Sequence, residues 1–177
     1  MALAVLAGVA GMWAGSRWDR SFSAAISGRL DAAPARLTLG DALPDIRLPD
    51  SDGRLRALTD WRGRPLLINF WASWCRPCIE EMPLLDAFAV QETENGVQVV
   101  GIALDEVVAV QRFLEATPVH YPILLDRVGP NDTSVRLGNA RGLLPYSVLV
   151  DASGHVRAQK LGPFRGDELK AWTAAAR

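Results

Sequence analysis

The sequence predicts a single α/β domain, with a central mixed sheet flanked by helices and a β-hairpin in front of it. Three observations predict this. Short, nearly continuous apolar runs at Leu66–Trp71 and Val97–Leu104 have the length and composition of strands buried on both faces. Segments with helical spacing alternate with such runs, which calls for parallel strands joined by crossover helices. The chain then presents two strand-like runs around Asp151-Ala152-Ser153-Gly154, a hairpin that adds antiparallel strands. The 177 residues, 49% of them hydrophobic, suffice for one full core and not for two.

The elements follow in order. Leu43 to Leu48 alternates in strand fashion, Pro49-Asp50-Ser51-Asp52-Gly53 turns, and Arg54 to Leu58 returns, giving the front hairpin. After the Leu66–Trp71 strand, Pro77 to Gln91 carries Ile79, Met82, Leu85, Phe88 and Ala89 at helical spacing, until Asn95-Gly96 stops it. The Val97–Leu104 strand is followed by helical spacing over Glu106–Ala116, broken by Pro118, and by a strand at Tyr121–Leu125. Asp132–Leu137 reads as a short helix, with Asp126 and Asp132 as turn and cap residues. Tyr146–Val150 and His155–Lys160 form the closing hairpin, and Gly166-Asp167 caps a last helix reaching Ala176.

Outside the domain, expected over residues 37–177, the chain changes character. Residues 1–16 carry no charged side chain, and Leu3 to Gly15 contains only apolar residues and Gly. That length fits the core of a signal peptide better than a full spanning helix of roughly 20 residues. Arg17, Arg20 and Arg29 follow the apolar stretch instead of preceding it, which suits the tail of a signal or anchor that begins upstream. The competing reading is a buried or disordered N-terminal segment; membrane targeting is favoured. Residues 17–36 are small and polar, as a tether would be. The net charge of −1 provides no field to recruit nucleic acid.

The two cysteines, Cys75 and Cys78, lie too close together to close a long loop, so their bond would add little to stability by chain entropy. Chemistry explains the pair better. Trp71-Ala72-Ser73-Trp74-Cys75-Arg76-Pro77-Cys78 stands where a buried strand gives way to a helix. A cysteine at a helix N-terminus faces unpaired N–H groups and the positive end of the dipole, both of which stabilise thiolate. Arg76 adds a neighbouring positive charge, and Pro77 suits the first helical turn because no N–H is needed there. Cys75 is therefore expected to attack, and Cys78, one turn further in, to resolve the mixed disulfide. Phe70, Trp71 and Trp74 read as core and as an apolar rim over the thiols, Trp74 being the one able to touch substrate.

These residues, with Pro83 five positions after Cys78 and Gly142-Leu143-Leu144-Pro145-Tyr146-Ser147-Val148-Leu149-Val150-Asp151, resemble the TlpA-like family of thioredoxin-fold thiol–disulfide oxidoreductases. Leu39-Gly40-Asp41-Ala42-Leu43-Pro44-Asp45 resembles that family's N-terminal extension, so the likeness spans residues 37–176. The resemblance implies a thioredoxin-like fold and a cis Pro145 that presents the backbone of Leu144 beside Cys75 for an extended substrate strand. It implies an extracytoplasmic reductase, held at the inner membrane by its N-terminus and re-reduced by a membrane dithiol donor. Its partner would be a protein disulfide or dithiol, apocytochrome c first among the candidates. A monomer without cofactor is expected. Glu81 occupies the place of a glutamate the family carries three residues after the second cysteine. Partly buried, it would have a raised pKa and take the proton of Cys78; the alternative is a solvated residue like its neighbour Glu80.

Two departures stand out. Thioredoxin carries a buried aspartate where this chain has Asn69, which cannot shuttle protons. Leu144 and Tyr146 are bulkier than expected around the proline, which bears on substrate preference. Two other functions compete with dithiol exchange. Two thiolates and one histidine could hold Cu(I) in a copper chaperone, whereas structural zinc would want four ligands and His120 and His155 are isolated. Thiol peroxidases share the fold, but a vicinal pair with a proline between suits dithiol exchange. Covalent haem attachment would need His after Cys78, where Ile79 stands.

Overall fold

The computed structural model describes residues 36–92 and 96–176. The apolar N-terminal segment, the tether up to residue 35 and Asn95 of the helix stop lie outside the described residues.

The front hairpin pairs β1 (Arg47–Pro49) with β2 (Leu55–Ala57) and runs into a 3-10 turn at Leu58–Trp61. Its first strand is shorter than the alternation from Leu43 suggested. Pro44 has no N–H for a ladder, and its carbonyl accepts from Ile46 N at 2.9 Å in a local turn. The main sheet has the order β5-β4-β3-β6-β7. Its strands are β3 (Leu66–Trp71), β4 (Gln98–Leu104), β5 (Ile123–Asp126), β6 (Tyr146–Val150) and β7 (Val156–Leu161). β3, β4 and β5 run parallel, whereas β6 and β7 are antiparallel to their neighbours, so the sheet is mixed as expected. β5 starts later than the apolar run because Pro122 cannot donate to the ladder.

Among the described residues four helices join the strands: α1 (Arg76–Gln91), α2 (Val107–Ala116), α3 (Thr133–Arg136) and α4 (Glu168–Thr173), the last tightening into a 3-10 turn at Ala174–Ala176. Asp132 caps α3 by accepting from Val135 N at 3.1 Å. Asp167 stands at the N-cap of α4, but its side chain makes no capping bond. The adjacent carboxylate of Glu168 takes the N–H of Arg165 at 3.3 Å instead.

Strand periodicity divides the core. Leu66, Ile68 and Phe70 of β3 pack with Val100, Ile102, Tyr146 and Val148 and with the front hairpin's Ile46, Leu48 and Leu58. Leu67 and Trp71 point to the other face, where Cys78, Met82, Leu85 and Phe88 of α1 cover them. Asn69 shares that parity and so lies under α1. Tyr146 corrects the expectation that its bulk beside the proline bears on substrate preference. Its parity turns it into the opposite core beside Phe70, and its hydroxyl donates to Leu137 O at 3.1 Å.

Candidate active site

Cys75 is the N-cap of α1, and the two cysteines are bonded to each other with their Cα atoms 5.3 Å apart. The Cys75 carbonyl accepts from Cys78 N at 3.0 Å and from Ile79 N at 3.1 Å, which starts the helix under the pair. Pro77 sits in the first turn, where its missing N–H costs nothing, and Pro83 lies within the helix. The cysteines differ in access: Cys75 keeps 5% of its surface and Cys78 none. Trp74 is 65% exposed beside them, and Leu143, two residues before Pro145, is exposed as well.

Arg76 is an exposed side chain whose Nε donates to Glu80 Oε1 at 2.8 Å, an i,i+4 pair. Its charge near the thiols is thus partly answered by the exposed Glu80 carboxylate. Glu81, one residue further on, is turned inward and is 2% exposed. Its Oε1 accepts from Asn69 Nδ2 at 2.9 Å and its Oε2 from the backbone N–H of Phe164 at 2.7 Å. Burial pushes its carboxyl above the usual range. The Phe164 and Asn69 bonds and the Lys160 charge pull down without offsetting that, and Glu168 adds to the rise.

The Leu144–Pro145 peptide bond is cis. The loop that presents it is held by Asn139, whose Nδ2 donates to Leu143 O at 2.9 Å and whose Oδ1 accepts from Leu143 N at 3.3 Å. Pro145 O accepts from Gly162 N at 2.9 Å, which ties the loop to the end of β7. Leu144 is half-buried against the core under α1.

Several supporting residues escaped the sequence reading. Asp105, at the end of β4, accepts through Oδ2 from Ser73 N at 2.9 Å and Ser73 Oγ at 2.6 Å, anchoring the loop that carries Cys75. Ser147 pairs with Asn69 across β3 and β6 and accepts from its Nδ2 at 3.1 Å. Ser147 carried the same signal as Asn69, a polar residue inside an apolar strand run. Asp105, Asn139 and the Phe164 N–H gave none. His120 Nδ1 lies 2.9 Å from Asp86 Oδ2, and His155 Nδ1 lies 2.9 Å from Ser153 Oγ.

Comparison with known proteins is consistent with this arrangement. The Redoxin family model matches residues 38–174. The thiol-disulfide oxidoreductase ResA of Geobacillus thermodenitrificans is 31% identical over 135 residues, covering 76% of this chain and 75% of that protein. Among solved structures, the thioredoxin-related protein of Neisseria meningitidis serogroup B matches at 30% identity with a TM-score of 0.64, over 73% of this chain and 97% of that one. MTB dsbF, solved in mixed oxidised and reduced forms, matches at 30% identity and a TM-score of 0.64, over 75% of this chain and 96% of that one.

Proposed function

The chain belongs to the Redoxin family, and from that membership we infer that it is a thiol–disulfide oxidoreductase reducing specific protein disulfides outside the cytoplasm. Its chemistry is dithiol–disulfide exchange through the bonded CxxC pair. Apocytochrome c is the proposed substrate class, because its haem-attaching thiols must be reduced before ligation. A membrane dithiol donor would restore the pair. The apolar residues 1–16 and the tether 17–36 would hold a monomeric domain at the membrane surface.

The observation that carries this reading is the asymmetry of the pair: Cys75 reaches the surface at the start of α1, and Cys78 is sealed on the helix face that carries Glu81. In the reductive direction the Cys75 thiolate attacks one sulfur of the substrate disulfide. The substrate S–S bond breaks, and one substrate thiolate leaves and takes up a proton. Cys78 then gives its proton to the Glu81 carboxylate, and the resulting thiolate attacks Cys75 Sγ. The second substrate thiolate leaves and the Cys75–Cys78 bond forms. Two electrons pass from the dithiol to the substrate, and Glu81 returns its proton to the leaving thiolate or to solvent. Trp74, Arg76, Pro77 and Leu144 form the rim that meets the substrate, and the backbone beside Pro145 offers an edge for an extended strand.

Two measurements on the full chain test this. Equilibration with thiol–disulfide buffers should give a potential toward the reducing end of the range of such pairs, about −270 mV, and a value near about −120 mV would overturn the reductant assignment. Cys75→Ser should abolish exchange, and Cys78→Ser should accumulate a mixed disulfide with substrate. Normal turnover by Cys78→Ser would refute the two-cysteine mechanism.

A further inference from the structure

A polar cluster lies on the α1 face of the sheet, within an otherwise apolar core. Asn69, Glu81 and Ser147 are all buried. The amide nitrogen of Asn69 serves two acceptors, Glu81 Oε1 at 2.9 Å and Ser147 Oγ at 3.1 Å. Its amide oxygen, Oδ1, has no hydrogen-bond partner among the described residues. A buried acceptor left unpaired is costly and uncommon, and here it belongs to the residue that holds the buried carboxylate.

We propose that Asn69 is a positioning residue whose amide turns over with the protonation state of Glu81, nitrogen toward the carboxylate and oxygen toward the carboxylic acid, with Ser147 completing the pair in both states. This rests on the reading of Glu81 as the proton acceptor of Cys78. The inventory of donors supports it. With Glu81 ionised, Asn69 Nδ2 donates to Oε1 and to Ser147 Oγ, as in the structure. When Glu81 takes the Cys78 proton, its new O–H needs an acceptor, and the second oxygen remains occupied by the Phe164 N–H. Half a turn about the Asn69 Cβ–Cγ bond exchanges the two amide atoms. Oδ1 then accepts from the Glu81 O–H and from the Ser147 hydroxyl, which is donor as well as acceptor. The amide makes two bonds in either state and leaves one polar atom unpaired in either state.

That balance suits a group that must cycle. A fixed donor at this position would hold Glu81 ionised, and an apolar side chain would hold it protonated. The other charged or titratable groups facing Glu81 are Lys160 from β7, Glu168 from α4, Tyr121 ahead of β5 and, on α1 itself, Cys78, the source of the proton. Parity places the amide correctly, since Asn69 and Ser147 are direct partners across β3 and β6 on the face that α1 covers.

The test is a pH titration of the reduced full chain, following the Glu81 carboxyl carbon and the Asn69 side-chain NH2 by NMR, alongside the pH profile of exchange. The Asn69 NH2 signals should move with the same midpoint as Glu81. Asn69→Leu removes the switchable partner and should raise the Glu81 midpoint by about one to two pH units, carrying the exchange profile with it. Ser147→Ala removes one neutral bond from the amide in each state, so it should move the midpoint by less than about one unit and leave the Asn69 and Glu81 signals coupled. Asn69 signals indifferent to the Glu81 titration, or an unmoved midpoint in folded Asn69→Leu, would overturn the proposal. Should Asn69→Leu fail to fold, the coupling in the wild type decides it. A coupled titration, with an exchange profile that Glu81→Gln leaves unmoved, would support the amide turnover and reject Glu81 as the proton acceptor.

Discussion

Asp105→Ala should loosen the loop that carries Cys75 without touching the proton chemistry. The Asp105 carboxylate receives the Ser73 N–H at 2.9 Å and the Ser73 hydroxyl at 2.6 Å, and through its other oxygen the Glu106 N–H at 2.8 Å. A buried hydrogen bond to a charged group contributes about 1.5–3 kcal/mol. Ser73 and Asp105 are only half-buried, so water recovers part of what the alanine removes, and the Glu106 N–H is exposed enough to hydrate fully. The two Ser73 bonds together should therefore be worth about 2–3 kcal/mol, a sizeable share of the roughly 5–15 kcal/mol that stabilises a domain. Asp105→Asn keeps an oxygen for the N–H and can donate to the serine oxygen, so it should cost about 1 kcal/mol. Urea unfolding of the oxidised protein should rank wild type above Asp105→Asn above Asp105→Ala, at constant m-value. The exchange rate should fall in the same order with the shape of its pH profile retained. A loss below about 0.5 kcal/mol, the scatter of ordinary surface changes, would refute the anchoring role, and so would a displaced pH profile.

Two further predictions concern titration. Burial tends to raise the Asp151 carboxyl, but bonds from the Ser153 hydroxyl, the His155 N–H and Arg157, with the Arg157 charge, hold it well below the usual carboxylate range. A depressed pKa contributes stability above the unfolded value and loses it as pH falls. Asp151→Asn should therefore be less stable than wild type at neutral pH, with the gap closing progressively below about pH 4; unfolding curves showing a gap independent of pH would contradict this. Burial pushes Tyr146 up to about 12, and burial with the Asp86 and Glu81 charges pushes Tyr121 up as well. These are the chain's 2 tyrosines. Ultraviolet titration of the folded protein should show no tyrosinate forming near about pH 10, and a normal midpoint before unfolding would count against the packing of both rings.

Features that depend on local pattern are legible along the chain. The continuous apolar runs set β3 and β4, the helical spacing set α1 and α2, and the strand-to-helix junction put Cys75 at a helix N-terminus. Those features rest on periodicity, turn chemistry and backbone geometry, all written within a few residues of one another. Even the likeness that implied a cis Pro145 was carried by local motifs. How distant segments meet depends on the packing of the whole fold. Glu81 and Glu80 are adjacent glutamates on one helix, and the spacing from Cys78 to Met82 and Leu85 puts only Glu81 on the apolar face. What receives it there depends on the packing of α1 on the sheet, which brings Asn69 from 12 residues away and the Phe164 N–H from 83. Strand parity alone turned Tyr146 away from the redox pair and Asn69 toward it, but parity acquires a direction only once the sheet has a helix on one side and a hairpin on the other. The anchor from Asp105 to Ser73 spans 32 residues and exists only because parallel pairing brings the end of β4 beside the end of β3. Hydrogen bonds of this kind carry no sequence signal, because any exposed-looking aspartate could make one; register and packing decide which does.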